Sequence, residues 1–129
     1  MKSVVICGSR RFKKGIGDLI VYLRSRGVVV LTPILFELTD EDKCVSQTVQ
    51  YLYRCGLTLH HFNQIEKADV CFIYNEGGYI GISTTLEMGF AAACKLPIYA
   101  LAEDTADPTR AVLIDGVVSD PKQLLAKLC

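Results

Sequence analysis

Short apolar runs alternate with segments of helical length along this chain, and this alternation constrains the fold more than any other feature. The runs are continuously apolar and rich in β-branched residues, which favours parallel strands covered on both faces. They predict four strands and a weaker fifth at residues 3–7, 28–32, 70–74, 97–101 and 116–118. The intervening segments predict helices at about residues 14–25, 47–67 and 84–94, and a last helix after Asp120-Pro121. Gly56 is a candidate break in the second helix.

Strand–helix alternation of this kind implies right-handed crossovers between parallel strands. We therefore expect a doubly wound five-stranded parallel sheet flanked by helices, a flavodoxin-like or Rossmann-like three-layer sandwich. A length of 129 residues suits one domain over the whole chain, residues 1–129. In such sheets ligands bind beyond the carboxyl ends of the strands, so the loops after the first and third strands are the candidate site.

Charge and composition exclude several classes of partner. Lys and Arg together number 14, as do Asp and Glu, and a zero net charge argues against binding of a nucleic-acid polymer. No apolar run approaches the roughly 20 residues of a membrane span, and no targeting segment is visible, so a cytoplasmic protein is expected. The six cysteines include no C-x-x-C pair. We interpret them as free thiols of a reducing compartment, and expect neither a metal nor a cofactor.

The loop after the first strand has the composition of an anion site. Gly8 permits close backbone approach, Ser9 and the following amides can bind an anion, and the adjacent arginines add fork-shaped donors. The alternative is an ordinary turn with solvated arginines. The loop matches neither the dinucleotide-binding nor the P-loop glycine motif. The candidate binding residues here are Cys7, Gly8, Ser9, Arg10, Arg11 and Phe12.

The loop after the third strand combines glycines, an aromatic residue and two hydroxyls before a helix. This composition is typical of a cradle for a sugar or phosphate, although a merely flexible loop is the alternative. The candidate binding residues are Asn75, Gly77, Gly78, Tyr79, Gly81, Ser83 and Thr84.

Glu87 is the single acidic or basic residue of the segment 85–94. A helix that is apolar all round is expected to be buried, and burial raises the pKa of a carboxyl group, so Glu87 is a candidate catalytic residue. The alternative is a capping box formed by Thr84 and Glu87. His61 lies one helical turn from Leu57 and from Ile65, which predicts an inward-facing side chain. Such a histidine is either a satisfied core residue or an acid/base group.

Four segments together resemble the nucleoside 2-deoxyribosyltransferase superfamily, which includes the 2′-deoxynucleoside 5′-phosphate N-hydrolases. They are VICGSRRF at 5–12, LHH through Ala68-Asp69, GGYIGIST followed by EMGFA at 87–91, and KLPI at 95–98. The third is the most specific, and its GYIG-x-ST-x-x-E signature is typical of one branch. The resemblance covers roughly residues 3–101 and implies cleavage or transfer at the N-glycosidic bond of a small nucleotide or nucleoside.

The resemblance also implies roles for single residues. Glu87 falls on the family's nucleophilic glutamate, and the family's phosphate-binding turn falls on Cys7, Gly8, Ser9 and Arg11. A homodimer or higher homo-oligomer is expected, because in this family a neighbouring subunit often completes the pocket. The segment 33–48 is a candidate lid, in which Phe36 either stacks on a base or belongs to the core.

Three departures from the family pattern leave alternatives open. His61 occupies the place of a proton-handling aspartate, Ile6 that of a frequent tyrosine, and Gly81 that of a frequent Asp or Ser. The first hypothesis is an N-glycosidase or glycosyltransferase with Glu87 as nucleophile and His61 as acid/base. The second is a nucleotide-binding module that kept the pocket without turnover. A phosphoribohydrolase is a nearer rival, but its P-G-G-x-G-T-x-x-E motif is absent.

Overall fold

A five-stranded sheet, parallel throughout, forms the centre of the computed structural model, which describes residues 1–33 and 45–129. The strand order is β2-β1-β3-β4-β5, with every neighbouring pair parallel. This topology confirms the predicted doubly wound sheet. The strands are β1 Val4–Gly8, β2 Val30–Leu31, β3 Val70–Tyr74, β4 Ile98–Ala100 and β5 Gly116–Val117.

Helices flank both faces of the sheet. They are α1 Lys13–Arg24, α2 Gln47–Lys67, α3 Ile82–Ala93, α4 Pro108–Ala111 and α5 Pro121–Leu128. The suggested break at Gly56 is wrong, because α2 runs through it. The short helix α4 was not predicted, although Asp107 caps it with the same Asp-Pro signal that opens α5.

Two apolar cores lie on opposite faces of the sheet, which explains why the strands are continuously apolar. Val4, Ile6 and Phe72 pack with α1 and α5, whereas Val5 and Ile73 pack with α2 and α3. Successive strand residues therefore enter different cores, and a polar residue on either face would be buried. The three-layer arrangement follows directly from this pattern.

Pairing of β1 with β3 brings the two candidate loops together. The strands are in register over their whole length, with Gly8 opposite Tyr74, so the chain leaves both at the same sheet edge. At the other edge, Asp69 Oδ2 accepts hydrogen bonds from Ser3 N at 2.7 Å and from Ser3 Oγ at 3.0 Å. Asp69 therefore fixes the starts of these strands, away from the loops.

Three predictions concern the lid segment, the cysteines and membrane-spanning helices. The core of the candidate lid, with Phe36, lies outside the described residues. Cysteines 7, 55, 71, 94 and 129 are free thiols, and Cys44 lies outside the described range. Within residues 1–33 and 45–129, no helix combines the length and the apolarity that crossing a membrane requires.

Candidate functional site

A cavity of about 670 Å³ opens at the carboxyl edge of the sheet, between the loop after β1, helix α2 and the start of α3. Its volume suits a ligand of nucleotide size. Both candidate loops and both candidate catalytic side chains contribute to its wall. The predicted residues that line it are Gly8, Ser9, Arg10, His61, Tyr79, Gly81, Ser83, Thr84 and Glu87.

Three predicted residues of the first loop lie behind this wall. Cys7 is fully buried beneath His61. The guanidinium of Arg11 stacks on the Tyr79 ring, 3.5 Å from its centroid, and the Phe12 ring packs edge-on against the same ring. Arg11 and Phe12 therefore orient the aromatic wall of the cavity rather than form it, because the short 3₁₀ turn Arg10–Phe12 directs them toward Tyr79.

Three predicted residues of the second loop, Asn75, Gly77 and Gly78, do not line the cavity. Gly77 and Gly78 have φ values of 67° and 85°, which L side chains rarely adopt, so glycine is required at both positions of this turn. Gly77 lines a separate cavity on the α1–α5 face. Asn75 is fully buried and binds the backbone of Ala102 through both amide atoms, at 2.8 and 3.0 Å. These three residues hold the loop against the end of β4.

Helix α2 contributes wall residues that sequence reasoning missed. Arg54 brings a second cation to the cavity, and Leu57, Thr58 and Phe62 line the same side. A signal for them exists, because positions three, four and seven residues before His61 share its helical face. Arg54 therefore supplements Arg10 at the mouth of the cavity, whereas Arg11 is engaged with the tyrosine.

The first turn of α3 does not form the capping box that was the alternative interpretation of Glu87. The helix begins at Ile82 with Gly81 as its N-cap, so Thr84 lies inside the helix and cannot cap it. The capping interpretation is therefore wrong. The helix is also not buried all round, since Ile82 is 84% exposed and Leu86 is 59% exposed. Glu87 nevertheless points to the buried side, where its side chain is only 16% exposed.

An ion pair that was not predicted holds this first turn in place. The Arg110 guanidinium forms two hydrogen bonds with Asp104, at 2.6 and 2.9 Å, and its third nitrogen donates to Thr85 Oγ1 at 3.1 Å. Thr85 Oγ1 in turn donates to the Gly81 carbonyl at 2.8 Å. The Arg110 hydrogen bonds lower the pKa of Asp104, which favours its ionised form. The chain after β4 thus positions the start of α3.

Three side chains from different elements meet at the base of the cavity. His61 Nε2 lies 3.3 Å from Cys7 Sγ and 3.6 Å from Glu87 Oε2. The other ring nitrogen of His61 lies 3.3 Å from Gln64 Oε1. Because the Gln64 oxygen can only accept, this contact places the imidazole proton on Nδ1 and leaves Nε2 as an acceptor.

Burial dominates the protonation of this cluster. Desolvation raises the pKa of Glu87 to about 7, and the Cys7 thiol offsets part of the rise. Desolvation also lowers the pKa of His61, against a smaller opposing effect of its hydrogen bond with Gln64. A hydrogen bond with Cys71 and burial raise the pKa of the Cys7 thiol. Near neutral pH, the cluster therefore contains a neutral imidazole, a neutral thiol and a carboxyl group close to its midpoint.

Solved structures with the same architecture exist. A 2-deoxyribosyltransferase from Bacillus psychrosaccharolyticus has 15% sequence identity and a TM-score of 0.68, and the match covers 98% of this chain and 95% of that one. A conserved protein from Enterococcus faecalis V583 has 18% identity and a TM-score of 0.66, with coverage of 99% and 97%. Comparison with protein-family models and with curated proteins finds no match. The chain therefore has the deoxyribosyltransferase fold over nearly its whole length.

Proposed function

We propose that the chain cleaves or transfers at the N-glycosidic bond of a nucleoside or nucleotide, with Glu87 as nucleophile and His61 as acid/base. The observation that carries the proposal is the pairing of these two side chains, 3.6 Å apart, on the wall of a nucleotide-sized cavity. The fold shared with a 2-deoxyribosyltransferase agrees with this chemistry. A nucleophile next to a proton carrier is the arrangement that covalent glycosyl transfer requires.

The reaction proceeds in two displacements. His61 Nε2 accepts the proton of Glu87, which makes the carboxylate nucleophilic and the imidazole cationic. Glu87 then attacks the anomeric carbon, the bond to the base breaks, and the base leaves with the proton from His61. In the second step His61 removes a proton from water or from an acceptor base. The deprotonated water or base attacks the anomeric carbon, and Glu87 leaves the sugar as a carboxylate.

The mouth of the cavity is suited to an anionic substituent of the substrate. Arg10 and Arg54 lie there with Ser9, whose hydroxyl accepts a hydrogen bond from Arg11 N at 3.3 Å. Guanidinium groups bind phosphate in a fork geometry, so a nucleoside 5′-phosphate fits this end better than a free nucleoside. Tyr79 and Phe62 offer apolar faces for the base.

The test measures release of free base from a panel of nucleosides and nucleoside 5′-monophosphates by chromatography. Wild-type protein is compared with Glu87→Gln, and with Glu66→Gln as a control that removes an exposed carboxylate. We expect base release by the wild type and the control but not by Glu87→Gln. A rapid quench should trap a sugar ester on the peptide that contains Glu87. Undiminished release by Glu87→Gln, or no release from any substrate, would refute the proposal.

A second candidate is a nucleotide-binding module without turnover. It is favoured by the raised pKa of Glu87, since at a pKa of about 7 much of the carboxyl is protonated and is a weak nucleophile. The departure at Ile6 carries little weight, because Ile6 packs in the core on the opposite face of the sheet. Thermal stabilisation by a nucleotide, with no product after long incubation, distinguishes this module from an enzyme.

We also infer a homodimer in which a second copy covers the apolar surface beside the cavity. Ile82 and Leu86 are both exposed and both line the cavity mouth, and Leu52 and Leu59 are exposed on α2. Exposed apolar side chains beside a cavity favour association with a partner surface. Light scattering should give twice the chain mass, and Ile82→Asp with Leu86→Asp should give monomers.

The buried thiols favour a reducing compartment, for which we propose the cytoplasm.

A further inference from the structure

We propose that Cys7, His61 and Glu87 form a binding site for a thiophilic divalent cation, with Zn²⁺ as the best match. Each contributes one ligand atom, and these three atoms lie within 4.8 Å of one another. The inference does not depend on the proposed glycosyl chemistry.

The spacing of the ligand atoms agrees with tetrahedral zinc. Zinc bonds of about 2.0 Å to nitrogen or oxygen and about 2.3 Å to sulfur place tetrahedral ligand atoms roughly 3.3 to 3.6 Å apart. Cys7 Sγ and His61 Nε2 are 3.3 Å apart, and His61 Nε2 and Glu87 Oε2 are 3.6 Å apart. Two of the three ligand pairs therefore already have the spacing of tetrahedral zinc ligands, and the third pair, Cys7 and Glu87, lies within 4.8 Å.

The chemistry of the donor set also fits zinc. A thiolate, a neutral imidazole and a carboxylate carry two negative charges, which neutralise a divalent cation in a buried place. Coordination replaces the S–H bond of Cys7 by a zinc–sulfur bond, and the proton leaves to solvent. Gln64 Oε1, 3.3 Å from His61 Nδ1, supplies the outer acceptor that a ligating histidine usually has.

An independent observation concerns Glu87 Oε2. Among the described residues, it is a buried side-chain oxygen without a hydrogen-bond partner. Buried carboxylate oxygens are normally satisfied by protein, water or an ion. A zinc ion between the three side chains would satisfy it. The single proton of the Cys7 thiol cannot do so fully, because His61 Nε2 and Cys71 Sγ, 3.3 and 3.8 Å away, compete with the Glu87 carboxyl group for it.

The site has the form of an open metal centre. His61 and Glu87 line the cavity, while Cys7 lies beneath them, so the ion enters from the cavity and its fourth position faces the ligand space. Zinc sites with three protein ligands keep such a position for water or a substrate atom. Bound zinc would also occupy Glu87, so zinc and glycosyl transfer through this residue would exclude each other.

The experiment uses metal-free protein and Zn²⁺ alone, without nucleotide. Affinity is measured by competition with a chromophoric chelator, and Co²⁺ is added in parallel as a spectroscopic probe. We expect one zinc per chain and a thiolate-to-cobalt charge-transfer band with tetrahedral visible bands. Cys7→Ser and Glu87→Gln should each weaken zinc binding by about 100-fold or more, since even outer-shell changes cost 10- to 100-fold. Cys94→Ser, which changes a thiol outside the cluster, should bind zinc like the wild type.

Several results would overturn the inference. They are absence of stoichiometric zinc binding, a cobalt complex without the thiolate band, or equal affinities of Glu87→Gln and wild type. If Cys7→Ser does not fold by circular dichroism, the wild-type cobalt spectrum and Glu87→Gln still decide. Because no substrate is present, failure to bind zinc leaves the proposed glycosidase standing. Failure to release base leaves the metal site standing.

Discussion

Replacement of Glu87 by glutamine should stabilise the fold above neutral pH. The pKa of Glu87 is about 7 in the folded chain and 4.5 without burial. This upward shift is opposite to the downward shift of a carboxylate in a salt bridge. Between these values the folded chain binds more protons than the unfolded chain, so the free energy of unfolding falls as pH rises from about 4.5 to 7. Below pH 4.5, Glu87 is protonated in both the folded and the unfolded chain, so it does not change the free energy of unfolding with pH.

The magnitude follows from the size of the shift. One pKa unit corresponds to about 1.4 kcal/mol, so full ionisation of Glu87 destabilises the folded chain by about 3 kcal/mol, with partial exposure reducing this figure. Glutamine has nearly the same shape and cannot ionise. The difference in unfolding free energy between Glu87→Gln and wild type should therefore increase by about 3 kcal/mol from pH 4.5 to pH 8 and change little beyond.

Urea unfolding, followed by circular dichroism at a series of pH values with a chelator present, measures this difference. Glu66→Gln is the matched control, because it removes a carboxylate from an exposed position on α2. The informative quantity is the pH dependence of the difference, since any packing effect of the amide is constant. A difference that changes by less than about 0.5 kcal/mol across the range would show that Glu87 is not buried as described.

Three further predictions concern the framework of the site. Asn75→Ala should reduce the free energy of unfolding, measured in urea, by about 1 to 3 kcal/mol, because it leaves the part-buried N–H and C=O of Ala102 without their side-chain partner. Asn63→Ala, at an exposed position, should change this free energy little. Gly8→Ala should destabilise by about 1 to 3 kcal/mol, because its Cβ would lie 2.9 Å from the Tyr74 carbonyl oxygen; Gly17→Ala, which meets nothing within 4 Å, should not. Arg54→Ala should weaken binding of a nucleoside 5′-phosphate about tenfold in calorimetry but leave binding of the nucleoside unchanged, whereas Arg26→Ala should affect neither.

The sheet was predictable because its signal is local. Residues 70–74 are apolar at every position, and the structure shows successive side chains entering cores on opposite faces of the sheet. Each position must therefore be apolar, whichever face it lies on. The register then follows from pairing of the strands. Helix α4 was missed because four residues are too few to show periodicity, even though Asp107-Pro108 marks its start.

The site was only partly predictable, because its contacts join distant parts of the sequence. Cys7 and His61 are 54 residues apart, and their contact depends on how α2 packs on β1. The glycine loop has the composition of a ligand cradle, but only its second half, from Tyr79 onward, lines the cavity, whereas Gly77 and Gly78 adopt positive φ values outside it. Arg54 shares a helix face with His61, yet which face lines a cavity depends on the packing of α2.

Buried polar side chains that have partners within the chain differ in role from Glu87. Asn75 is paired with the backbone of Ala102, and Asp104 with Arg110, so both stabilise the fold. Glu87 has no such partner for Oε2 within the described residues, and its ionisation lowers stability. If residue 87 had only a structural role, an apolar side chain or a hydrogen-bonded polar one would stabilise the fold more than Glu87 does. We therefore propose that Glu87 Oε2, which has no hydrogen-bond partner among residues 1–33 and 45–129, is satisfied by a bound group. A sugar carbon and a zinc ion are the two candidates, and base release and zinc titration distinguish them.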